Sequence, residues 1–297
     1  MGKWIFSKLL KIKIKLSDSK ISKIPSVGYL YKIFYKLAEP KGIILISAQG
    51  NKMYVNARDK GIVPHLLANG VWEKYETDLF YKLIKPGDVV VDIGANIGYY
   101  TLIAAKIVGN EGKVYAFEPE SDNYELLVKN IEINGYTNIT PIKKAVSNRK
   151  GNLKLFLNKT NLGGHSISDD NVPVRKGGVI EVETITLDDY FENNINENRV
   201  DFIKMDTEGA EGLIIDGARK ILQNNNLKIL MEFWLYGLKN IGTDPLELLS
   251  TLQDYGFKIK LLDETNQSLK IVENKKIIEI CENKDNGMIE VNLLLEK

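Results

Sequence analysis

Cysteine is almost missing from this chain of 297 residues, with Cys281 standing alone. One thiol excludes an internal disulfide and any zinc site built on several cysteines. Cys281 therefore reads as a small buried apolar residue. No apolar run reaches the about 18 residues that a membrane-spanning helix needs. Charge of one sign is also missing: 40 Lys and Arg stand against 39 Asp and Glu, a net of +1. Nothing global draws the chain to nucleic acid. The N-terminus does not read as a signal peptide, because lysines interrupt its apolar core. It also lacks the myristoylation pattern, since Phe6 stands where Ser or Thr is required. The expected location is cytoplasmic.

What remains is an ordinary globular composition, 44% hydrophobic and 27% charged. The length suits one large domain, or one domain with a small accessory piece.

Two phosphate-binding signatures are absent as well. A dinucleotide fingerprint G-x-G-x-x-G beginning at Gly94 would need glycines where the chain has Asn96 and Tyr99. The P-loop pattern does not occur. The stretch that stands in their place is Asp88-Val-Val-Val-Asp92-Ile-Gly94-Ala-Asn96-Ile-Gly98-Tyr-Tyr-Thr101, then an apolar helical run, then Val114-Tyr-Ala-Phe-Glu118-Pro119. Val89, Val90 and Val91 predict a strand buried on both faces of a parallel sheet. Gly94 and Gly98 turn the chain into a helix whose free N–H groups face the loop. Glu118, just past the next strand, suits the two hydroxyls of a ribose. Asp92 would repel a pyrophosphate but pair with an ammonium. S-adenosylmethionine meets these demands: a ribose, an adenine and an amino-acid end, with no phosphate. The bland alternative is a βαβ unit with a glycine turn and no cofactor.

The rest of the chain divides into three expected parts. Residues 1–41 are basic, with Ile5, Leu9, Ile12 and Leu16 on one helical face and Lys8, Lys11 and Lys15 on another. Residues 1–20 are thus a candidate for peripheral membrane contact at the inner face, or for a helix packed on its own domain. Residues 42–85 read as an accessory leader, a hairpin turning at Gln49-Gly50-Asn51 and a helix from Trp72 to Ile84. Glu76 and Thr77 on that helix are weak site candidates, since helix starts favour such residues anyway. Residues 86–297 read as the main α/β domain. Within it, strands are expected at Ile139–Val146, Leu153–Leu157, Val179–Leu187, Val200–Met205, Leu227–Phe233, Phe257–Leu262 and Met288–Leu295. Residues 263–287 read as a polar hairpin or loop.

The strand ending at Met205 leads into Lys204-Met205-Asp206-Thr207-Glu208-Gly209-Ala210-Glu211. Asp206 and Glu208 fall in the crevice outside the carboxyl ends of the strands, and Glu232 lies at another strand end. The three are a candidate acid cluster, or else an ion-paired network with Lys204 or Arg219. Glu211 opens a helix that runs through Ile214, Ile215, Ala218 and Leu222, and the dipole at its start favours an acid. His165, in the polar Gly163-Gly164-His165-Ser166 loop, is either a general base or a surface histidine.

These stretches together resemble the FkbM family of methyltransferases, within the class I S-adenosylmethionine-dependent group. The Asp92-to-Thr101 loop, Phe117-Glu118-Pro119, the Lys204-to-Glu211 stretch and Glu232-Phe233 carry the likeness, over roughly residues 70–235. The resemblance implies a Rossmann-like α/β fold: a mostly parallel seven-stranded sheet with an antiparallel last strand and helices on both faces. It also implies methyl transfer to an oxygen of a sugar, glycan or natural product. Asp92, Gly94, Asn96, Gly98, Glu118 and Pro119 would hold S-adenosylmethionine, with Ala145 near the adenine. Asp206, Glu208 and Glu232 would face the acceptor. Asp206 or Glu208 would serve as base or metal ligand, with His165 as the alternative base, and Mg²⁺ is a candidate second cofactor. The sequence leaves the presence of metal, the acceptor and the oligomeric state open. The competing functions are a small-molecule N-methyltransferase, against which the missing Asn/Asp-Pro-Pro-Tyr tetrapeptide counts, and a silent methyltransferase-fold module that binds a partner or membrane.

Overall fold

The computed structural model describes residues 40–172, 176–194, 199–283 and 288–297. The basic segment expected over residues 1–41 falls almost wholly outside them, and its membrane contact with it. A hairpin comes first, β1 (Ile43–Ala48) and β2 (Asn51–Asn56). Helices α1 (Ile62–Asn69) and α2 (Lys74–Leu83) follow. Helix α1 lies in a stretch with no expected element, and its Pro64 sits in the first turn, where proline is tolerated.

The main domain then alternates. Its first half is β3 (Val89–Ile93), α3 (Tyr99–Val108), β4 (Lys113–Phe117), α4 (Ser121–Asn134) and β5 (Ile139–Ile142). Next come β6 (Ala145–Val146), β7 (Gly151–Asn158), β8 (Lys176–Ile185) and α5 (Leu187–Asn194). The second half is β9 (Phe202–Met205), α6 (Glu211–Asp216), β10 (Lys228–Phe233), α7 (Leu235–Asn240), α8 (Pro245–Asp254), β11 (Lys258–Asp263), β12 (Ser268–Ile271), α9 (Asn274–Asn283) and β13 (Val291–Glu296).

The principal sheet has eight strands in the order β12-β11-β13-β10-β9-β3-β4-β5. Strands β5, β4, β3, β9 and β10 run parallel, and β13 runs antiparallel to both β10 and β11. This is the expected Rossmann-like arrangement with its reversed last strand. The eighth strand is β12, paired antiparallel to β11 at the sheet edge. Its polar, half-exposed sequence gives no alternation to read; Ile271 on it is 76% exposed.

The valine run of β3 behaves as a two-sided strand must. Val89, Val91 and Ile93 enter one core with Ile203, Met231 and Leu293, while Val90 enters the other with Phe202, Leu230 and Leu294. The hairpin, α1, α2, α3 and α4 cover that second face. Two expected elements are interrupted. The strand expected over Ile139–Val146 stops at Ile142, and β6 joins β8 and β7 in a separate three-stranded sheet. The helix expected from Glu211 to Leu222 breaks at Gly217, where a Cβ would lie 2.2 Å from the Ser147 carbonyl oxygen.

The chain runs outward from β3 through β4 and β5, then returns to β9 on the other side of β3. That reversal opens a crevice at the carboxyl ends of β3 and β9. Gly217→Ala should destabilise the fold by about 1–3 kcal/mol, because backbone rather than a flexible side chain must move. Urea denaturation followed by circular dichroism measures this, and an unchanged midpoint would show that the β6 end gives way freely.

Candidate active site

The crevice is shaped by a close crossing of two loops. Gly94 at the end of β3 has φ 81°, and a Cβ there would sit 1.9 Å from the Asp206 carbonyl oxygen. Only glycine lets the β3 loop and the β9 loop touch in this way. The Asp206 N–H donates to the Ile93 carbonyl at 3.1 Å, and the N–H groups of Gly94 and Ala95 both donate to the Phe117 carbonyl at 3.0 and 2.9 Å. The ends of β3, β4 and β9 are thereby locked together.

On the β4 side lies a cleft of about 640 Å³. Glu118 stands at its wall, 5% exposed, with Oε2 accepting the Asn96 N–H and Oε1 the Glu120 N–H, both at 2.8 Å. Asn96 adopts a left-handed φ of 49°, the kind of strain that clusters at functional sites. Burial pushes the Glu118 carboxyl up to about 8, although the two N–H bonds pull it down. Each carboxylate oxygen keeps a lone pair for a further donor. Pro119, Ala145, Val146, Leu153, Leu155 and Ile167 supply an apolar slot beside it. An acid next to an apolar slot is what a ribose carrying a flat base requires.

On the other side lies a second cavity, about 840 Å³, which shares Gly94, Gly163, Asp206 and Glu208 with the first. Asp92, Asn96, Glu73, Glu232 and Glu290 line it with Trp72 and Tyr99. Asp92 is 2% exposed and accepts the Thr101 hydroxyl at 2.5 Å. Burial pushes Asp92 up to about 6, against the Thr101 bond and the Lys204 charge. Burial followed by neighbouring carboxylates holds Glu208 and Glu232 well above the ordinary carboxylate range.

Lys204 supplies the countercharge. Its Nζ is 3.2 Å from Glu76 Oε1 and 3.5 Å from Asp206 Oδ2, and lies 5.1 Å over the Tyr100 ring. Burial opposes its charge, but Glu76, Asp206, Glu73 and Glu232 outweigh that and raise its proton affinity. The ion-paired network is thus centred on Lys204; Arg219 pairs instead with Asp216 at the surface. Glu76 lies beneath the cavity as the partner of Lys204. Thr77 donates to the Trp72 carbonyl at 2.6 Å and fixes the start of α2. Neither lines the cavities.

Glu211 is a loop builder. Its Oε1 accepts from the Thr207 hydroxyl at 2.8 Å and the Thr207 N–H at 3.1 Å. Two further contributors gave no sequence signal. Asn171 Nδ2 donates to the Glu208 carbonyl at 3.0 Å, beside the Ser166 hydroxyl at 2.8 Å, and steadies Glu208 at a left-handed φ of 54°. Asp59, 3% exposed, accepts from Gly61 and Leu162 and ties the leader to the loop over the cleft. Both are isolated polar residues outside any motif.

Residues 92–259, more than half of the chain, match the family described as the methyltransferase FkbM domain. The chain belongs to the FkbM methyltransferase family. This FkbM chain is 30% identical over 115 residues to the "Probable cobalt-precorrin-6B C(15)-methyltransferase (decarboxylating)" of Sulfolobus acidocaldarius, covering 37% of itself and 57% of that protein. It is 33% identical over 112 residues to the protein of the same description from Saccharolobus solfataricus, covering 35% and 56%. The chain thus spans about half the length of the curated relatives it matches. A solved FkbM methyltransferase from Methylobacillus flagellatus KT aligns at 14% identity and a TM-score of 0.43, over 73% of this chain and 50% of that one.

Three expected features of the FkbM chain have surroundings that the sequence does not show. His165 Nδ1 accepts the Asn158 N–H at 2.9 Å, and burial pushes the imidazole down to about 4. The neutral ring therefore carries its proton on Nε2, while Nδ1 is occupied by the Asn158 N–H. It lines the Glu118 cleft rather than the acidic cavity. Gly98 lines neither cavity; it caps the start of α3 at a left-handed φ of 92°, a conformation that glycine adopts without strain. Mg²⁺ finds no fit: among the described residues no three His, Cys, Asp or Glu groups converge to hold a metal, and Lys204 already neutralises Asp206.

Glu118→Ala should weaken S-adenosylhomocysteine binding by about 1.5–3 kcal/mol, the scale of a charged hydrogen bond. In the wild type, affinity should rise with pH through the raised Glu118 pKa, because ribose hydroxyls bond the ionised form. Calorimetric titration across pH checks both, and an unchanged affinity would remove Glu118 from the cofactor site.

Proposed function

We propose that this FkbM-family protein transfers a methyl group from S-adenosylmethionine to a hydroxyl of a sugar, glycan or related natural product. One observation carries the reading: the Gly94 crossing joins a cleft suited to a nucleoside to a cavity lined by acids, with Glu208 at the junction. When bound, S-adenosylmethionine supplies an electrophilic methyl on a sulfonium, ready for in-line displacement. Glu118 would hold the ribose hydroxyls, the slot along Ala145 and Leu155 the adenine, and Asp92 would face the ammonium. Cofactor and acceptor would then meet at the boundary that Gly94 and Glu208 share.

A sugar hydroxyl is a poor nucleophile, so a base assists its attack. Asp206 is engaged by Lys204, which leaves Glu208 the better placed carboxylate. It would take the hydroxyl proton as the oxygen–methyl bond forms and the sulfur–methyl bond breaks. Burial and the neighbouring carboxylates have raised its proton affinity, which makes its ionised form a stronger base. Trp72 and the Gly163 loop would keep water from the methyl group. Among the described residues no helix is long and apolar enough to cross a membrane.

Glu208→Gln should lower kcat by about 10²–10⁴-fold while cofactor affinity changes little. Because the base works ionised and its pKa is raised, wild-type kcat should climb with pH above the usual carboxylate range, and the variant should lose that limb. Radiolabelled methyl transfer to a sugar acceptor panel measures both. A Glu208→Gln enzyme with full kcat would remove the residue from catalysis.

A further inference from the structure

The acidic cavity does not end at the methyl-transfer boundary. It continues through Glu73 and Glu290 into a groove of about 1150 Å³ at the mouth of β11 and β13. One wall of this groove is apolar, with Leu261, Leu262, Val272 and Ile280; Asp263 and Glu264 sit on the other residues of the hairpin. Lys270 is the one cation lining the groove among the described residues, and it pairs with Asp263. Lys204, the one cation lining the cavity, is shared between Glu76 and Asp206.

Acid therefore exceeds base along the whole path. Glu232 Oε2 lies on that path, shielded from solvent and without a hydrogen-bond partner. A buried carboxylate oxygen in that state costs free energy unless a donor arrives. Bound S-adenosylmethionine offsets little of the excess, since its ammonium and sulfonium are partly cancelled by its own carboxylate. Its ammonium also has Asp92, which lines the same cavity. Burial and neighbouring carboxylates hold Glu73, Glu208 and Glu232 above the usual carboxylate range, and a cation arriving beside them would favour their ionised forms.

We propose, resting on the methyl-transfer reading, that the acceptor is an amino sugar or amino-sugar oligomer whose protonated amine is read by Glu232 and Glu290. The hydroxyl to be methylated lies at Glu208, and the amine binds on the β10–β13 side of it. The apolar groove wall and Trp72 offer flat surfaces to the sugar rings. The same excess of acid repels uronic acids and phosphorylated sugars, which makes the cavity selective by charge.

The test uses the full chain saturated with S-adenosylhomocysteine and two probes of one skeleton, glucosamine tetramer and its fully N-acetylated counterpart. Calorimetric titration should find the amine form at least about tenfold tighter, with the preference shrinking as salt is added. Glu232→Gln and Glu290→Gln should each reduce that preference, while S-adenosylhomocysteine affinity stays within about twofold. Equal affinity for the two tetramers, or a preference that survives both replacements, overturns the inference and leaves methyl transfer standing. Failure of S-adenosylhomocysteine itself to bind overturns the methyl-transfer reading and this inference with it.

Discussion

A single buried ammonium organises the site. Lys204 is 1% exposed and its partner Glu76 is fully buried. A charge so deep is tolerated only with opposite charge at hand, and removing one partner of such a pair typically costs about 3–5 kcal/mol. Lys204 comes from β9 in the centre of the sheet, and Glu76 from α2 in the leader. The pair therefore fastens the leader to the domain and lets Asp206 sit beside other acids at the crevice. The carboxylates of the second cavity depend on that one cation.

The leader is part of the site for the same reason. Glu73 and Trp72, at the start of α2, line the acidic cavity, and Asp59 holds the loop that carries Gly163. The other wall comes from the small sheet, whose β6 and β7 bring Ala145 and Leu155 to the Glu118 cleft. The Rossmann-like core supplies the crossing of Gly94 over Asp206, and the flanking pieces enclose what binds there.

Much of this was legible in the sequence where chemistry and local geometry coincide. The run Val89–Val91 announced a two-sided strand, and Gly94 a tight turn. Asp206, Glu208 and Glu232 stood at strand ends, where a parallel sheet opens. Legibility failed where tertiary contact decides. Gly98 shares the loop and the left-handed backbone with Gly94, yet it caps α3 and lines neither cavity, and nothing local distinguishes the two glycines. His165 drew attention as a titratable residue, but its role turns on the Asn158 N–H that occupies its Nδ1. Strand β12 and α9 were hidden in a polar stretch, because an edge strand has one partner and little apolar face to display. Asn171 is one polar residue in a long loop, and only the fold reveals that it grips the Glu208 carbonyl.

The central claim is that the crevice at Gly94 takes a nucleoside with an ammonium and no phosphate. Isothermal titration of the full chain with S-adenosylmethionine, ATP and NAD⁺ tests it most directly. The account predicts micromolar binding of S-adenosylmethionine alone, because Asp92 and the surrounding acids repel phosphate. Binding of ATP or NAD⁺ with equal strength, or no binding of S-adenosylmethionine, would contradict it.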